Sequence, residues 1–347
     1  MALDATEKTI IELLKRSHAL SSKEIHDDIA PNVSYATAKR VLAKLVAENL
    51  IATKGKGKAT KYIISVAYTL LLPIDVEAYY QKEIDERTIK ANFNFELITG
   101  ILPNVSLFNS AELEYLRSLQ AQYEHNIQKL SAPEYQKEME RLAIDLSWKS
   151  SQIEGNTYSL LETERLLKEK ETASGKTKDE AVMLLNHKEA IDFIVANPDY
   201  AEPLTIDRIE DIHSILIKEL AVQKNIRTRR VGISGTNYRP LDNEFQIKEA
   251  MRDMCTLVNA KENVFEKVML TLVLISYIQP FMDGNKRTAR IISNAILIHF
   301  KYCPISFRTV DSIDYKKAML LFYEQNNITA FKQIFIEQFT FAVNTYF

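Results

Sequence analysis

Cysteine is scarce in this chain of 347 residues, which has only Cys255 and Cys303. Two isolated cysteines in apolar segments exclude a disulfide framework and a cysteine-based zinc site, so buried free thiols are expected. A hydrophobic run long enough to span a bilayer is also missing, because the apolar run over 268–278 is too short. The N-terminus lacks a charged segment followed by an apolar one. We therefore expect a cytoplasmic protein without membrane contact.

A large net charge is lacking as well. The formal charge is −2, with 46% hydrophobic and 26% charged residues, which is ordinary for a globular chain of two or three domains. This small sum hides an uneven distribution, because residues 39–61 contain a single acid, Glu48. The basic residues of that stretch are Lys39, Arg40, Lys44, Lys54, Lys56, Lys58 and Lys61.

The most informative stretch is residues 279–290, with the sequence QPFMDGNKRTAR. It connects two predicted helices, one over 268–278 that is apolar on every side and one over 287–300. The backbone amides of residues 284–286 would begin the second helix as unpaired N–H groups at the positive end of its dipole. A charged loop held between two core helices is a common place for binding and catalytic residues.

The side chains of this loop suit a phosphorylated ligand. Lys286, Arg287 and Arg290 place three cations on little more than one turn, and arginine binds phosphate through two points. Gly284 lets a ligand approach the backbone, and Asp283 could hold a magnesium ion that bridges phosphates. The alternative, a Gly-Asn turn before a solvated basic helix, suits a generic Asp-Gly-Asn better than it suits this whole string.

The string resembles the signature of the Fic family, His-Pro-Phe-x-Asp/Glu-Gly-Asn-Gly/Lys-Arg-x-x-Arg. Members of this family transfer AMP, or less often another phosphate-containing group, to hydroxyl side chains of proteins. The resemblance implies ATP and Mg²⁺ as cofactors, with Asp283 as the metal ligand and an anion hole at Gly284 to Lys286. It also implies that Asn285 contacts the α-phosphate and that Arg290 holds the terminal phosphate.

Gln279 departs from this signature, because it stands where the family has its catalytic histidine. In the family the histidine accepts a proton from the target hydroxyl, whereas a glutamine amide cannot be protonated near neutral pH. General-base catalysis typically contributes about 10²–10⁴-fold, so AMP transfer should be impaired. Gln279 can still orient a nucleophile or a nucleotide through hydrogen bonds. Lys286 is a smaller departure, since the family has glycine or lysine there.

A second string, Ser150-Ser-Gln-Ile-Glu-Gly-Asn156, ends a predicted helix over 133–153. Gly155 is typical of a helix C-terminus, and Glu154 is an acid beside the negative end of the helix dipole, which suggests that it has a partner. The string resembles the inhibitory motif of the Fic family, Ser/Thr-x-x-x-Glu-Gly/Asn. That resemblance implies autoinhibition, in which Glu154 pairs with Arg290. The alternative is a solvated glutamate before a helix stop.

Residues 226–238 change from helical spacing to the alternation of a strand and then reach a Gly-Thr-Asn turn. Fic proteins have a β-hairpin flap at the corresponding place, which pairs with an extended segment of the target protein. The resemblance implies such a flap at about 229–239, with a Ser, Thr or Tyr hydroxyl of the target as the acceptor. The residues assigned to the flap are Ile233, Ser234, Gly235 and Thr236.

Residues 1–65 predict a separate domain of three helices and two strands, with Ser21 and Ser34 as helix caps. Strands over 50–53 and 60–65 flank a Gly-Lys-Gly-Lys turn. This order resembles a winged helix-turn-helix, whose third helix enters the major groove of DNA. The alternative is a winged helix that docks proteins. Contacts to double-stranded DNA are expected from Lys39, Arg40, Lys44, Lys56 and Lys58.

The whole chain therefore predicts a mainly α fold, a Fic-type helical bundle with a β-hairpin flap behind a small winged-helix (α+β) domain. The expected divisions are 1–65, 66–175 with the inhibitory motif, and 176–347. Other predicted helices cover 76–90, 111–130, 160–170 and 205–220. His213 is expected to be a packed core histidine rather than a catalyst. The phenylalanine-rich C-terminal helix is expected to pack on the core, and it is also a candidate homodimer interface.

Two functions from different classes follow. The first is a protein adenylyltransferase-like protein that is autoinhibited by Glu154 and impaired by Gln279. The second is a nucleotide-sensing, DNA-binding transcriptional regulator without catalysis. Incubation with α-labelled ATP distinguishes them, because only the first would label a protein.

Overall fold

Three helices and a two-stranded hairpin form the N-terminal part of the chain. The computed structural model describes residues 3–30 and 33–347, without the side chain of Lys58. Ser21 and Ser34 cap the second and third helices as predicted, each accepting from a backbone N–H at 3.2 Å. The strands are antiparallel, with Ile51 opposite Ile64. The elements are α1 (Ala5–Ser17), α2 (Ser22–Ile29), α3 (Tyr35–Ala47), β1 (Ile51–Lys54) and β2 (Lys61–Ile64).

The segment that follows is mostly irregular. It contains two short helices, α4 (Tyr68–Leu71) and α5 (Val76–Tyr80). The helix predicted over 76–90 is therefore wrong beyond Tyr80. The chain turns there so that Arg87 reaches the buried Glu324, with Arg87 Nη1 3.1 Å from Glu324 Oε1. A tertiary contact of this kind overrides a weak local helix propensity.

Ten further α-helices form the larger part of the described chain. Every residue of α12 is buried, which confirms the buried helix predicted over 268–278, and α13 packs along it. The helices are α6 (Ser110–Ile127), α7 (Ala132–Ile153), α8 (Leu160–Glu169), α9 (Lys178–Ala196), α10 (Ile206–Leu216), α11 (Glu244–Ala260), α12 (Val264–Ile278), α13 (Asn285–His299), α14 (Ser312–Gln325) and α15 (Thr329–Tyr346).

The predicted helices of this part are confirmed apart from shifted ends. Those predicted over 111–130, 133–153, 160–170, 205–220 and 287–300 correspond to α6, α7, α8, α10 and α13. Cys255 and Cys303 are buried free thiols, as expected. Burial raises the pKa of the Cys255 thiol to about 12. Among the described helices, none has the length and apolar character needed to cross a membrane.

Residues 227–239, which we call the flap segment, form a loop instead of the predicted β-hairpin. The pair β1–β2 is the only sheet in the described residues. The two arms of the flap segment do not pair with each other, and each is bonded at its outer end to another part of the chain. Arg227 N–H donates to Pro280 O at 2.9 Å, and Arg239 N–H donates to Ala91 O at 2.8 Å. These bonds hold the arms apart.

Candidate functional site

The polar loop between α12 and α13 is closed by its own amide side chains. Gln279 follows α12 in the left-handed region, with φ of 52°. Its Nε2 donates to Ser276 O at 2.6 Å, and its Oε1 accepts from Asn285 Nδ2 at 2.9 Å. Both ends of the Gln279 amide are therefore bonded to the two helices that flank the loop, and this amide provides no base.

Asn285 and His213 fix the rest of this loop. Asn285 Oδ1 accepts from Phe281 N–H at 2.8 Å. The His213 ring stacks on Phe281 at 3.7 Å between centroids, and its Nε2 lies 2.9 Å from Asp283 O. Burial lowers the pKa of His213 to about 4, and the prediction of a packed core histidine is confirmed. Gly284 has φ of 80°, and a Cβ there would lie 3.4 Å from the His213 ring.

The N-terminus of α13 provides unpaired hydrogen-bond donors. The first backbone bond of this helix runs from Thr288 N–H to Gly284 O at 2.8 Å, so the amides of residues 285–287 have no partner within the helix. Arg287 is buried, and its Nη2 lies 2.9 Å from Asp283 Oδ2. Its Nε and Nη1 have no hydrogen-bond partner in the described part of the chain. Such donors at a helix N-terminus favour an anion.

Glu154 contacts two cations of α13 from the end of α7, where Gly155 adopts a φ of 101°. Glu154 Oε1 is 2.8 Å from Arg290 Nη2, and Oε2 is 3.2 Å from Lys286 Nζ. Burial alone would raise the pKa of Glu154, but the charges of Arg290 and Lys286 outweigh it and lower the pKa to about 2. The stability that this contact adds is fully present above about pH 4.5 and is lost as the pH falls towards 2.

Ser150 holds the same arginine one turn earlier in α7. Arg290 Nε donates to Ser150 Oγ at 2.8 Å, and Arg290 Nη2 donates to Ser150 O at 3.0 Å. His187 on α9 lies behind them, with Nε2 2.7 Å from Ser150 Oγ. No motif identifies His187 in the sequence. The one feature of the sequence that could have indicated His187 is its position as a lone histidine on the apolar face of α9, which includes Leu184 and Ile191.

Arg227 is the second residue that the sequence patterns miss. Its side chain is buried and joins the flap segment to the loop after α12. Nε donates to Gln279 O at 2.7 Å, Nη1 donates to Arg229 O at 2.8 Å, and Nη2 donates to Leu241 O. The strand-like spacing of this stretch does not single out Arg227. Its three hydrogen-bond acceptors are backbone carbonyls, so no pattern of side chains in the sequence indicates these contacts.

A cavity of about 290 Å³ lies beside the carboxylate of Glu154. Residues predicted from three separate strings meet around it, namely Glu154, Gln279, Lys286, Ile233 and Ser234. The other two predicted flap residues are engaged elsewhere. Gly235 O accepts from Arg87 Nη2 at 2.9 Å, and Thr236 Oγ1 accepts from Tyr238 N–H at 3.1 Å. Lys316 of α14, which no motif marks, adds a further cation to the lining.

Asp283 is the carboxylate predicted to bind a metal. Its side chain is 62% exposed and bonded to Arg287. The described residues contain no group of three or more His, Cys, Asp or Glu side chains able to hold a metal ion. Magnesium commonly uses one or two carboxylates together with substrate phosphates and water. Asp283 therefore fits a magnesium ion that binds with a nucleotide, and it does not fit a site made by protein alone.

The residues predicted to bind DNA lie far from this cavity in sequence and differ in their environments. Lys39 and Arg40 on α3 and Lys56 in the hairpin are exposed. Lys44 instead pairs with Glu7, whose side chain is only 2% exposed. Its own side chain is half exposed, and it also lines a groove between the N-terminal helices and the helical body. The side chain of Lys58 lies outside what the structure describes.

Comparison with known proteins points to one family. The model of the Fic/DOC family matches residues 203–297. Protein adenylyltransferase Fic from Nematostella vectensis is 29% identical over 171 residues, which are 48% of this chain and 40% of that protein. Protein adenylyltransferase fic-1 from Caenorhabditis elegans is 24% identical over 160 residues, which are 44% of this chain and 31% of that protein. The chain thus covers less than half the length of these curated relatives.

Solved structures show the same fold over about two thirds of the chain. Fic-1 from C. elegans aligns with a TM-score of 0.60 and 20% identity, over 68% of this chain and 72% of that one. A Fic domain containing signaling protein from Bacteroides thetaiotaomicron aligns with a TM-score of 0.54 and 18% identity, over 66% of this chain and 97% of that one. At these identities the comparison describes the fold alone.

Proposed function

Because the chain carries a Fic domain, we propose that it binds ATP in the cavity beside Glu154 and belongs functionally with the protein AMP transferases. The observation that carries this proposal is the contact of Glu154 with Arg290 and Lys286. A carboxylate there occupies cations that a phosphate would use, next to the unpaired amides of α13. The names of the curated relatives support AMP as the transferred group.

In this proposal the nucleotide phosphates lie against the N-terminus of α13. Lys286 and the amides of residues 285–287 bind the anionic oxygens, and Arg290 holds the terminal phosphate. Glu154 competes for Arg290 and Lys286 and therefore keeps the protein autoinhibited. Mg²⁺ held by Asp283 would neutralise phosphate charge when bound. The carboxylate of Asp283 is exposed enough to exchange Arg287 for such an ion.

The flap segment would receive the target protein. In the described chain, the backbone N–H and C=O groups of residues 231–234 form no hydrogen bonds, while Arg227 and Arg87 anchor the segment on either side. Free backbone groups of this kind pair with an extended peptide. The acceptor is a Ser, Thr or Tyr hydroxyl of that peptide. Gln279 provides no base for it, so transfer by the natural protein is slow or absent.

The test of this function is the affinity for Mg-ATP, measured by titration calorimetry. Glu154→Gly is expected to bind ATP about ten- to a hundredfold more tightly than the natural protein, because it frees hydrogen bonds of two cations. Glu154→Gln keeps the shape of the side chain without its charge and should fall between them. Equal ATP affinity in all three proteins would contradict autoinhibition by Glu154, and no ATP binding in any of them would contradict the nucleotide site.

A second candidate function is DNA binding by residues 1–65, coupled to a nucleotide-sensing body that does not catalyse. The observation that favours it is the exposure of Lys39, Arg40 and Lys56 on the third helix and hairpin of a winged-helix-like order of elements. The division of the chain at residues 65 and 175 is part of this proposal. A protein-docking role for the same basic surface is the competing interpretation.

DNA affinity is expected to fall steeply with salt if this second candidate is right. The double variant Lys39→Ala, Arg40→Ala should reduce the slope of log affinity against log salt by about 1.8, since each neutralised phosphate contributes about 0.9. Lys44→Ala is the matched control, because Lys44 pairs with Glu7 and should leave this slope unchanged. The measurement is fluorescence anisotropy with a pool of double-stranded DNA. Absence of binding at low salt would remove this candidate.

A further inference from the structure

His187 lies directly behind Arg290, in a place that no sequence motif marks. It belongs to α9, which packs against α7 and α13, and its side chain is fully buried. Its Nε2 is 2.7 Å from Ser150 Oγ, and this same oxygen is 2.8 Å from Arg290 Nε. One chain of hydrogen bonds, from His187 through Ser150 to Arg290, therefore connects three helices.

The chemistry of the three groups fixes the direction of the bond between Arg290 and Ser150 and lets His187 bond the same hydroxyl. A guanidinium can only donate, so Ser150 Oγ accepts from Arg290 and keeps its own proton for another partner. Nε2 of a neutral imidazole accepts that proton when Nδ1 carries the ring hydrogen, and it donates to Ser150 Oγ when Nε2 carries it. Burial, followed by the charges of Arg290 and Arg287, lowers the pKa of His187 well below its usual value. The ring is therefore neutral and orients the Ser150 hydroxyl.

Most of the bonds that hold Arg290 are independent of Glu154. Ser150 accepts two of them, at Oγ and at its backbone oxygen, and Glu154 accepts one. The guanidinium also lies over the Tyr315 ring, 5.2 Å from its centroid. Its Nη1 has no hydrogen-bond partner among the described residues. Removal of Glu154 would thus leave the guanidinium in place with free donors.

We propose that His187 is a positioning residue, which acts through the Ser150 hydroxyl to hold Arg290 in the orientation that receives a nucleotide phosphate. This inference rests on the proposed ATP site. It gives Ser150 a role opposite to the inhibitory one implied by resemblance. Glu154 obstructs the phosphate, whereas Ser150 and His187 support the arginine that binds it. Loss of Ser150 should therefore weaken nucleotide binding, while loss of Glu154 strengthens it.

The test compares affinities for Mg-ATP and for AMP in the Glu154→Gly protein by titration calorimetry. Adding Ser150→Ala or His187→Leu should weaken ATP binding about tenfold, since a hydrogen bond that orients a charged group is lost. AMP affinity should change little, because AMP lacks the phosphate that Arg290 holds. Ser150→Thr keeps the hydroxyl and His187→Gln places an amide near Nε2, so both should retain most of the ATP affinity. Thermal denaturation checks that each variant is folded.

The outcomes separate this inference from the proposed function. Failure of Glu154→Gly itself to bind ATP would overturn the ATP site and the inference with it. Binding by Glu154→Gly that Ser150→Ala leaves equal or makes tighter would overturn the positioning role alone. Equal losses of affinity for ATP and for AMP would show that Ser150 and His187 have only a structural role, and so would a failure of Ser150→Thr and His187→Gln to retain ATP affinity. Either result would overturn the positioning role.

Discussion

The double variant Glu154→Gly, Gln279→His is expected to transfer AMP at least about a hundredfold faster than the natural protein, since general-base catalysis alone contributes about 10²–10⁴-fold. The two changes meet different requirements. Glu154→Gly frees Arg290 to position the phosphates, and Gln279→His supplies a base. The backbone at this position has φ of 52°, a conformation in which histidine is enriched. Either single change should therefore leave transfer slow.

The measurement is incorporation of α-labelled ATP at pH 7 to 8 with magnesium, in the natural protein, both single variants and the double variant. Adding Arg290→Ala to the double variant is expected to abolish incorporation, because the terminal phosphate loses its contact. Equal labelling of the natural and double-variant proteins would disprove the inhibition argument. The absence of labelling in all four proteins would favour the DNA-binding regulator, or a target protein that was not supplied.

The sequence could predict contacts of residues that belong to short, recognisable motifs. Lys286 and Arg290 follow a helix start, and Glu154 precedes a C-terminal glycine, so local backbone geometry already constrains where each side chain points. Resemblance to the Fic motifs added that Glu154 would meet Arg290, and the distance of 2.8 Å agrees with it. The functional roles of these residues stay predictions, since geometry describes the contact and not its effect on activity.

The sequence could not predict contacts whose partners are distant in the chain and leave no periodic signal. His187 lies 37 positions from Ser150, and Arg227 lies 52 positions from Gln279. The strand-like alternation of the flap segment was a true local pattern, but a hairpin needs its two arms to pair. Pro280 and Ala91 accept backbone N–H groups of those arms instead. Tertiary partners thus decided the outcome.

Lys44 shows the same limit for a charged surface. Sequence spacing places Lys44 on the exposed side of α3, one turn after Arg40, yet it cannot reveal that Glu7 of α1 lies within reach. A count of basic residues therefore overstates the number that are free to bind phosphate. Lys39, Arg40 and Lys56, which pair with no carboxylate of the described residues, are therefore the contacts that the salt dependence of DNA binding would measure.

Glu324→Ala is expected to lower the free energy of unfolding by about 3–5 kcal/mol, because it leaves Arg87 buried without its counter-charge. The carboxylate of Glu324 is completely buried, and the side chain of Arg87 is 4% exposed. Tyr79 also donates to Glu324 Oε2 at 2.6 Å. The measurement is urea denaturation. The matched control is Glu77→Ala, which removes an exposed ion pair with Lys317 and should leave the midpoint nearly unchanged.

The double variant Arg87→Met, Glu324→Leu separates two effects of the ion pair between Arg87 and Glu324. One is its contribution to the free energy of unfolding, and the other is the anchoring of the flap segment by Arg87. Replacing both buried charges with apolar side chains is often neutral or stabilising, so the double variant should recover most of the stability that Glu324→Ala loses. It still lacks the bond from Arg87 Nη2 to Gly235 O. Trypsin should therefore cut faster after Arg229 and Arg230 in the double variant than in the natural protein. Equal cutting rates would show that Arg227 and Arg239 suffice to hold the flap segment.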